Sequence, residues 1–236
     1  MNHHVARFVR PMSSALCMAA FAALASCGGS VCIGFDGCTG ANGTPSIGLS
    51  GTAATGKALA SATVNVNCAQ GSAATLSDGG GRYSLTFNAA PPCILAVTSG
   101  GTTLHSLAFA GGTFNTTPET ELMLVYLAAQ LGTSEANLIA SFPNNAQFQQ
   151  ALANPNNAQN AQAAVVANLQ QHYAVTLAVP AFLSTPFVVG QAGVDSDLEA
   201  LAKAGAIDAN GMPDPAAVAL MSSAGSAQPL AKKATR

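Results

Sequence analysis

The chain has 236 residues, enough for one domain or two small ones. Apolar residues make up 49% and charged residues only 8%, against about 25% charged in an ordinary soluble domain. Eight Lys and Arg against ten Asp and Glu leave no basic face for nucleic acid. Beyond the N-terminal segment no apolar run is long enough for a polytopic membrane protein.

Arg7 and Arg10 form a positive start, and no acid precedes Asp36. Ala15 to Ala25 is apolar, too short to span a bilayer and suited to the middle of a signal peptide. It ends in Leu24-Ala25-Ser26-Cys27, which resembles a bacterial lipobox. The resemblance implies cleavage before Cys27 and diacylation of that cysteine, and two acyl chains anchor a protein stably where one does not. Gly28, where an Asp is absent, implies export to the outer membrane, facing the periplasm or the surface. Processing removes Arg7 and Arg10 and leaves a mildly acidic chain, poorly suited to holding anionic lipid or nucleic acid by charge. Residues 27–45, rich in Gly, Ser and Thr, read as a tether behind the signal peptide of residues 1–26.

Six cysteines are present. Cys17 leaves with the signal and Cys27 carries lipid, so Cys32, Cys38, Cys68 and Cys93 remain as candidates for disulfides in an exported protein. Three connectivities are possible, and Cys32–Cys38 with Cys68–Cys93 is favoured because each pair stays within one segment. A zinc site is not expected: no C-x-x-C occurs, and His105 and His172 have no nearby His or Cys. No cofactor is implied.

Residues 46–116 read as strands. Ala62, Val64, Val66 and Cys68 alternate with polar residues, the period of a half-buried strand. Asp78-Gly79-Gly80-Gly81 is a turn, after which Tyr83, Leu85 and Phe87 alternate again, predicting a hairpin. Pro91-Pro92 is expected to break the chain before the apolar strand Cys93 to Val97, and Ser99-Gly100-Gly101 turns into a strand over Thr102 to Ala110. Short strands at this spacing suggest a β-sandwich.

At Thr117-Pro118-Glu119 the period changes. Thr117 can cap a helix, Pro118 suits its first position, and Glu119 and Glu121 favour the positive end of its dipole. Leu122 to Ala129 is apolar on all sides, so this helix is expected to lie buried between the strands and the C-terminal remainder of the chain. Residues 144–171 hold seven Asn and seven Gln and no charge, yet Ala161, Val165 and Leu169 recur every four residues and Phe148 pairs with Leu152, so a helix is predicted. Residues 176–192 read as irregular; Asp195 to Ala204 and Pro215 to Ser222 read as two last helices, within a helical region of residues 117–224. Residues 225–236 read as a flexible tail.

Gly51, then Gly56-Lys57-Ala58-Leu59 with Ala62 and Val64, then Ser77-Asp78 through Gly81-Arg82-Tyr83-Ser84-Leu85, then Cys93 to Val97, form a recognisable succession. The stretch Gly51 to Phe109 resembles the carboxypeptidase regulatory-like domain, which implies a transthyretin-like antiparallel β-sandwich over residues 46–116. Asn115-Thr116-Thr117-Pro118 before an apolar helix also resembles bacterial lipoproteins that join such a sandwich to helices. The resemblance implies an α+β chain and a non-catalytic module; it carries over no catalytic residue.

Chemical motifs are scarce. Gly51 to Lys57 imitates a phosphate-binding loop, but Ala58 stands where a hydroxyl is needed, and a strand comes after it instead of a helix. No G-x-S-x-G or H-E-x-x-H occurs. His105 reads as an exposed strand residue. Asp195, Asp197 and Glu199 cluster as a calcium site would, but they lack its loop and suit a helix start; Asp208 to Gly211 reads as a turn. The expectation is therefore a lipid-anchored envelope module, not an enzyme, binding a protein partner; an envelope hydrolase using His105 or His172, or a carbohydrate binder, are the alternatives. The absence of Trp disfavours the carbohydrate reading.

Overall fold

A computed structural model describes residues 43–230. Strands come first and helices second, an α+β arrangement. The strands are β1 (Ser46–Thr52), β2 (Thr63–Gln70), β3 (Ser72–Leu76), β4 (Arg82–Asn88), β5 (Ala90–Ser99), β6 (Thr102–Ala108) and β7 (Gly112–Thr113). They form a three-stranded sheet ordered β4-β1-β7 and a four-stranded sheet ordered β3-β2-β5-β6. All pairs are antiparallel except β1 with β7. Alternation in β2 buries Val64, Val66 and Cys68 and exposes the residues between them. Cys68 lies directly opposite Cys93 of β5, and the two form a disulfide. The proposed partners Cys32 and Cys38, with Cys27, lie outside the described residues.

Two turns differ from the sequence reading. Asp78 to Gly81 does not close a hairpin: β3 before it and β4 after it belong to different sheets. The Asp78 carboxylate accepts the amides of Gly80 at 2.8 Å and Arg82 at 2.9 Å, folding the chain sharply so that β4 can run back along β1, from Thr52↔Arg82 to Ser46↔Asn88. The hairpin of β2 is instead with β3, turning at Gly71, where Cys68 donates its amide to the Gly71 carbonyl. β3 reads Ser-Ala-Ala-Thr-Leu, too small and too mixed to alternate visibly. Pro91 and Pro92 lie inside β5 rather than before it, joined by a cis peptide.

The helices are α1 (Pro118–Gln130), α2 (Glu135–Ser141), α3 (Ala146–Ala153), α4 (Pro155–Tyr173), α5 (Val194–Lys203) and α6 (Pro215–Ser226), with a 3-10 turn at Phe142–Asn144. Every residue of α1 is buried. It packs against β6, α2, α4 and α6, so an all-round apolar sequence becomes an all-round interface. The Asn/Gln-rich stretch is helical but divided: the Asn154 side chain accepts the Asn156 amide at 3.0 Å, and Pro155 opens α4, whose Ala158, Ala161, Val165 and Leu169 are buried. Among the described residues no helix is long and apolar enough to cross a membrane.

Residues 225–230 are not a loose tail. Gly225 sits in α6 against α1, where a Cβ would meet the Tyr126 carbonyl and stand 2.9 Å from the Ala129 Cβ. Beyond it, the Leu230 amide donates to the Gln130 carbonyl at 3.0 Å, and the Gln130 amide group donates to the Gln228 carbonyl at 2.8 Å. These bonds close the C-terminal end of α1, whose carbonyls need partners.

This packing sets two stability measurements. Reducing Cys68–Cys93, which closes a loop of sequence separation 25, should cost about 3 kcal/mol in the chain-entropy account, read as a lower urea midpoint in reductant. Gly225→Ala should cost about 1–3 kcal/mol by forcing α6 from α1, read by the same midpoint.

Candidate functional site

The chain leaves β7 through Phe114-Asn115-Thr116-Thr117 and enters α1. Asn115, Thr116, Thr117, Glu119 and Thr120 are all fully buried, so their polar groups need internal partners. Asn115 Nδ2 donates to the carbonyls of Phe182 at 2.8 Å and Thr185 at 2.7 Å, and its Oδ1 accepts the Thr52 amide at 3.2 Å. Its own amide donates to the Leu183 carbonyl, and its carbonyl accepts the Ser106 hydroxyl. One residue therefore ties β1, β6 and the segment before α5 together. Gly51 stands beside this knot because a Cβ there would strike the Phe114 carbonyl, which already accepts the Tyr83 hydroxyl. Burial raises the Tyr83 pKa, so that hydroxyl stays a donor.

The irregular residues between α4 and α5 are pinned by carboxylates. Asp197 accepts the amides of Ala178 at 2.8 Å and Val179 at 2.9 Å, and Asp195 accepts the Gly190 amide at 2.7 Å. Both acids are buried while Glu199 is exposed, so the three do not converge as calcium ligands; two of them fold the loop. Asp208 accepts the amides of Asn210 and Met212 at 2.9 Å each, the turn read from the sequence.

Held in this way, the loop walls a cavity of about 520 Å³ against β1, β4 and β7. Thr52, Thr113 and Thr185 line it, with their hydroxyls bonded to the Phe187 carbonyl, Ser50 and the Ala181 carbonyl; Phe187 and Val188 line it as apolar residues, and Arg82 is the charged residue of the lining. Arg82 is already paired with Asp78, whose Oδ2 lies 3.1 Å from Nε. The backbone amide of Arg82 is the largest influence holding the Asp78 carboxyl below its usual range. Thr52 Oγ1 donates to the Phe187 carbonyl at 3.0 Å, fastening the loop to the floor. This lining offers hydrogen bonds and apolar contact, without an acid and base side by side.

A second constellation lies where β6, α1 and α2 meet. His105 is not the exposed strand residue expected from the sequence: its side chain is 19% exposed, and Nδ1 is 3.1 Å from Glu121 Oε1. Glu121 Oε2 accepts the His105 backbone amide. Thr120, the preceding residue, donates its hydroxyl to the His105 carbonyl at 2.8 Å. Glu135, the first residue of α2, brings a third side chain, and its carboxyl is pushed up by burial first and by Glu121 second. Deeper in, Glu119 has no solvent access; burial pushes it up to about 8, with Asp197 adding to the rise, so it is neutral at neutral pH and is not merely a helix-dipole charge. Thr117 is the N-cap residue, but its hydroxyl donates to Glu119 at 3.1 Å instead of serving the helix amides alone.

His172 is exposed at the end of α4 and is not a member of the His105 cluster. The cavity and the His105 constellation were both invisible to spacing arguments, because their members stand on elements far apart in sequence; only Thr117, Glu119 and Glu121 gave a local signal. Comparison with protein-family models, with curated proteins and with solved structures finds no match to this chain.

Asn115→Ala should cost about 3 kcal/mol or more, since it strips several buried hydrogen bonds at once, read as a lower urea midpoint. Amide exchange over residues 182–187 should rise in the same variant. Asp197→Ala should loosen residues 178–190 with a smaller loss, about 1–3 kcal/mol.

Proposed function

We propose that this chain is a lipid-anchored module of the bacterial cell envelope, held at the outer membrane through Cys27, that binds a protein segment and does no chemistry on it. Its two sheets are read as a transthyretin-like sandwich of the carboxypeptidase regulatory-like kind, with the helices packed on it through α1. The address rests on the positive start, the apolar stretch and Leu24-Ala25-Ser26-Cys27. The Cys68–Cys93 disulfide suits an oxidising compartment such as the periplasm or the cell surface.

The observation that carries the binding reading is the lining of the cavity. The hydroxyls of Thr52 and Thr185 already donate to the carbonyls of Phe187 and Ala181, so their oxygens are left to accept the amides of an extended chain, and Phe187 and Val188 can take an apolar side chain. Val188, one of the lining residues, is 45% exposed, a large apolar side chain left open to solvent. A polypeptide fits this mixture better than a sugar, for which broad aromatic platforms would be wanted; the chain has no Trp and three Tyr, and one of these, Tyr83, is committed to the Phe114 carbonyl.

A photo-crosslinking residue at Gln191, on the cavity rim, should capture an envelope protein in intact cells, while one at exposed Asn160 on α4 should not. Equal capture at both positions, or none at Gln191, would remove the reading. Cys27→Ala should abolish acyl labelling and release the chain from membranes; labelling that persists would refute the anchor.

A further inference from the structure

We propose that His105, Glu121 and Glu135 form a binding site for a divalent transition-metal ion of the zinc class. The site lies apart from the cavity and does not depend on the binding function argued for it. One donor atom from each side chain can be chosen so that all three lie within 4.8 Å of one another. Donors bound to one ion at about 2.0–2.2 Å stand roughly 3–4.4 Å apart, so the set is already near the separation an ion needs. The His105 Nδ1 to Glu121 Oε1 distance, 3.1 Å, is one edge of such a polyhedron.

The donors are also held. His105 is fixed in β6 by pairing with Ala96 of β5. Glu121 projects from the first turn of a helix that is buried throughout, and its other oxygen is occupied by the His105 backbone amide. That bond turns Oε1 toward the imidazole and acts as an outer-sphere support of the kind that orients metal ligands. Thr120 fastens the same residue at its carbonyl. Glu135 arrives from a third element, and its Oε1 is shut off from solvent with no hydrogen-bond partner.

What a simple ion pair leaves unexplained is the meeting of two carboxyls on one histidine, with Glu135 Oε1 unpartnered beside them. His105 with Glu121 would be complete as a pair, and a second carboxyl beside it adds only repulsion or a shared proton. A dication offsets both carboxylates, and one bound through Glu135 Oε1 gives that oxygen a partner. One imidazole nitrogen and two carboxylate oxygens suit zinc, manganese or ferrous iron better than soft-metal chemistry, and three protein donors leave coordination positions for water. The partly exposed His105 ring provides the way in.

The test is zinc titration of the purified full chain after chelator treatment, with calorimetry and thermal unfolding as readouts and cobalt absorption as the spectroscopic signature. One equivalent should bind and raise the unfolding temperature, since an ion that binds only the folded chain stabilises it. Glu135→Gln should weaken binding more than about tenfold and change the cobalt spectrum. His105→Gln should do the same, whereas Glu199→Gln and His172→Gln, on exposed helix positions, should leave both unchanged. Glu135 is the decisive position, because it is half-buried at the start of α2 and its amide keeps the size of the side chain; if His105→Gln fails to fold by circular dichroism, Glu135→Gln decides alone. No stoichiometric binding by the wild-type chain, or an affinity and spectrum unchanged in Glu135→Gln, would overturn the proposal.

Discussion

Asn115 has no access to solvent, and every polar group it carries must find its partner inside the protein. It does so by drawing on three parts of the chain that have little else in common: the end of β1 at Thr52, the middle of β6 at Ser106, and the loop carbonyls of Phe182 and Thr185. An amide side chain has two donor hydrogens and one oxygen, and all are used. The arrangement is directional where hydrophobic packing is not. It sets where the loop crosses the sheet, and so shapes the cavity that the loop walls.

The polar segment continues into α1. Thr116 accepts the Ala54 amide and donates its own to Thr52, Thr117 donates its amide to Thr120, and Glu119 is sealed beneath. A buried polar run of this length is tolerable because most of its bonds are made; Glu119 Oε1 is left without a partner, and burial raises that carboxyl. Immediately after it the sequence turns wholly apolar, and α1 is buried on every side against strand and helix alike. Polar specificity and apolar burial thus sit end to end: residues 115–120 fix the register of the helix on the sheets, and residues 122–129 supply the area that holds the helices to it.

Carboxylates serve three separate ends here. Asp78, Asp195, Asp197 and Asp208 each accept backbone amides and so replace regular structure in turns and loops. Glu119 is neutralised by burial. Glu121 and Glu135 meet a histidine. In a chain with so few charges, the acids that remain are seldom plain surface solubility groups. Glu199 is one that is exposed.

What the sequence determined by itself is local. The alternation of Ala62 to Cys68, the helix start at Thr117-Pro118, the four-residue recurrence of Ala161, Val165 and Leu169, and the all-apolar run of α1 are each local signals of backbone geometry, and each appears in the structure, though the Thr117 hydroxyl turns to Glu119. The cysteine pairing within one segment was also legible, since Cys68 and Cys93 stand on strands that meet in register. Tertiary structure alone decided that β3 and β4 part into different sheets, because sheet partners are chosen by burial against the rest of the molecule and not by the turn between them. It also decided that residues 225–230 close the end of α1, which needed partners for its last carbonyls. The meeting of His105, Glu121 and Glu135 is the clearest case. No spacing rule joins a strand residue to two helix residues so far along the chain; only the packing of α1 on β6, with α2 folded back beside it, brings them together.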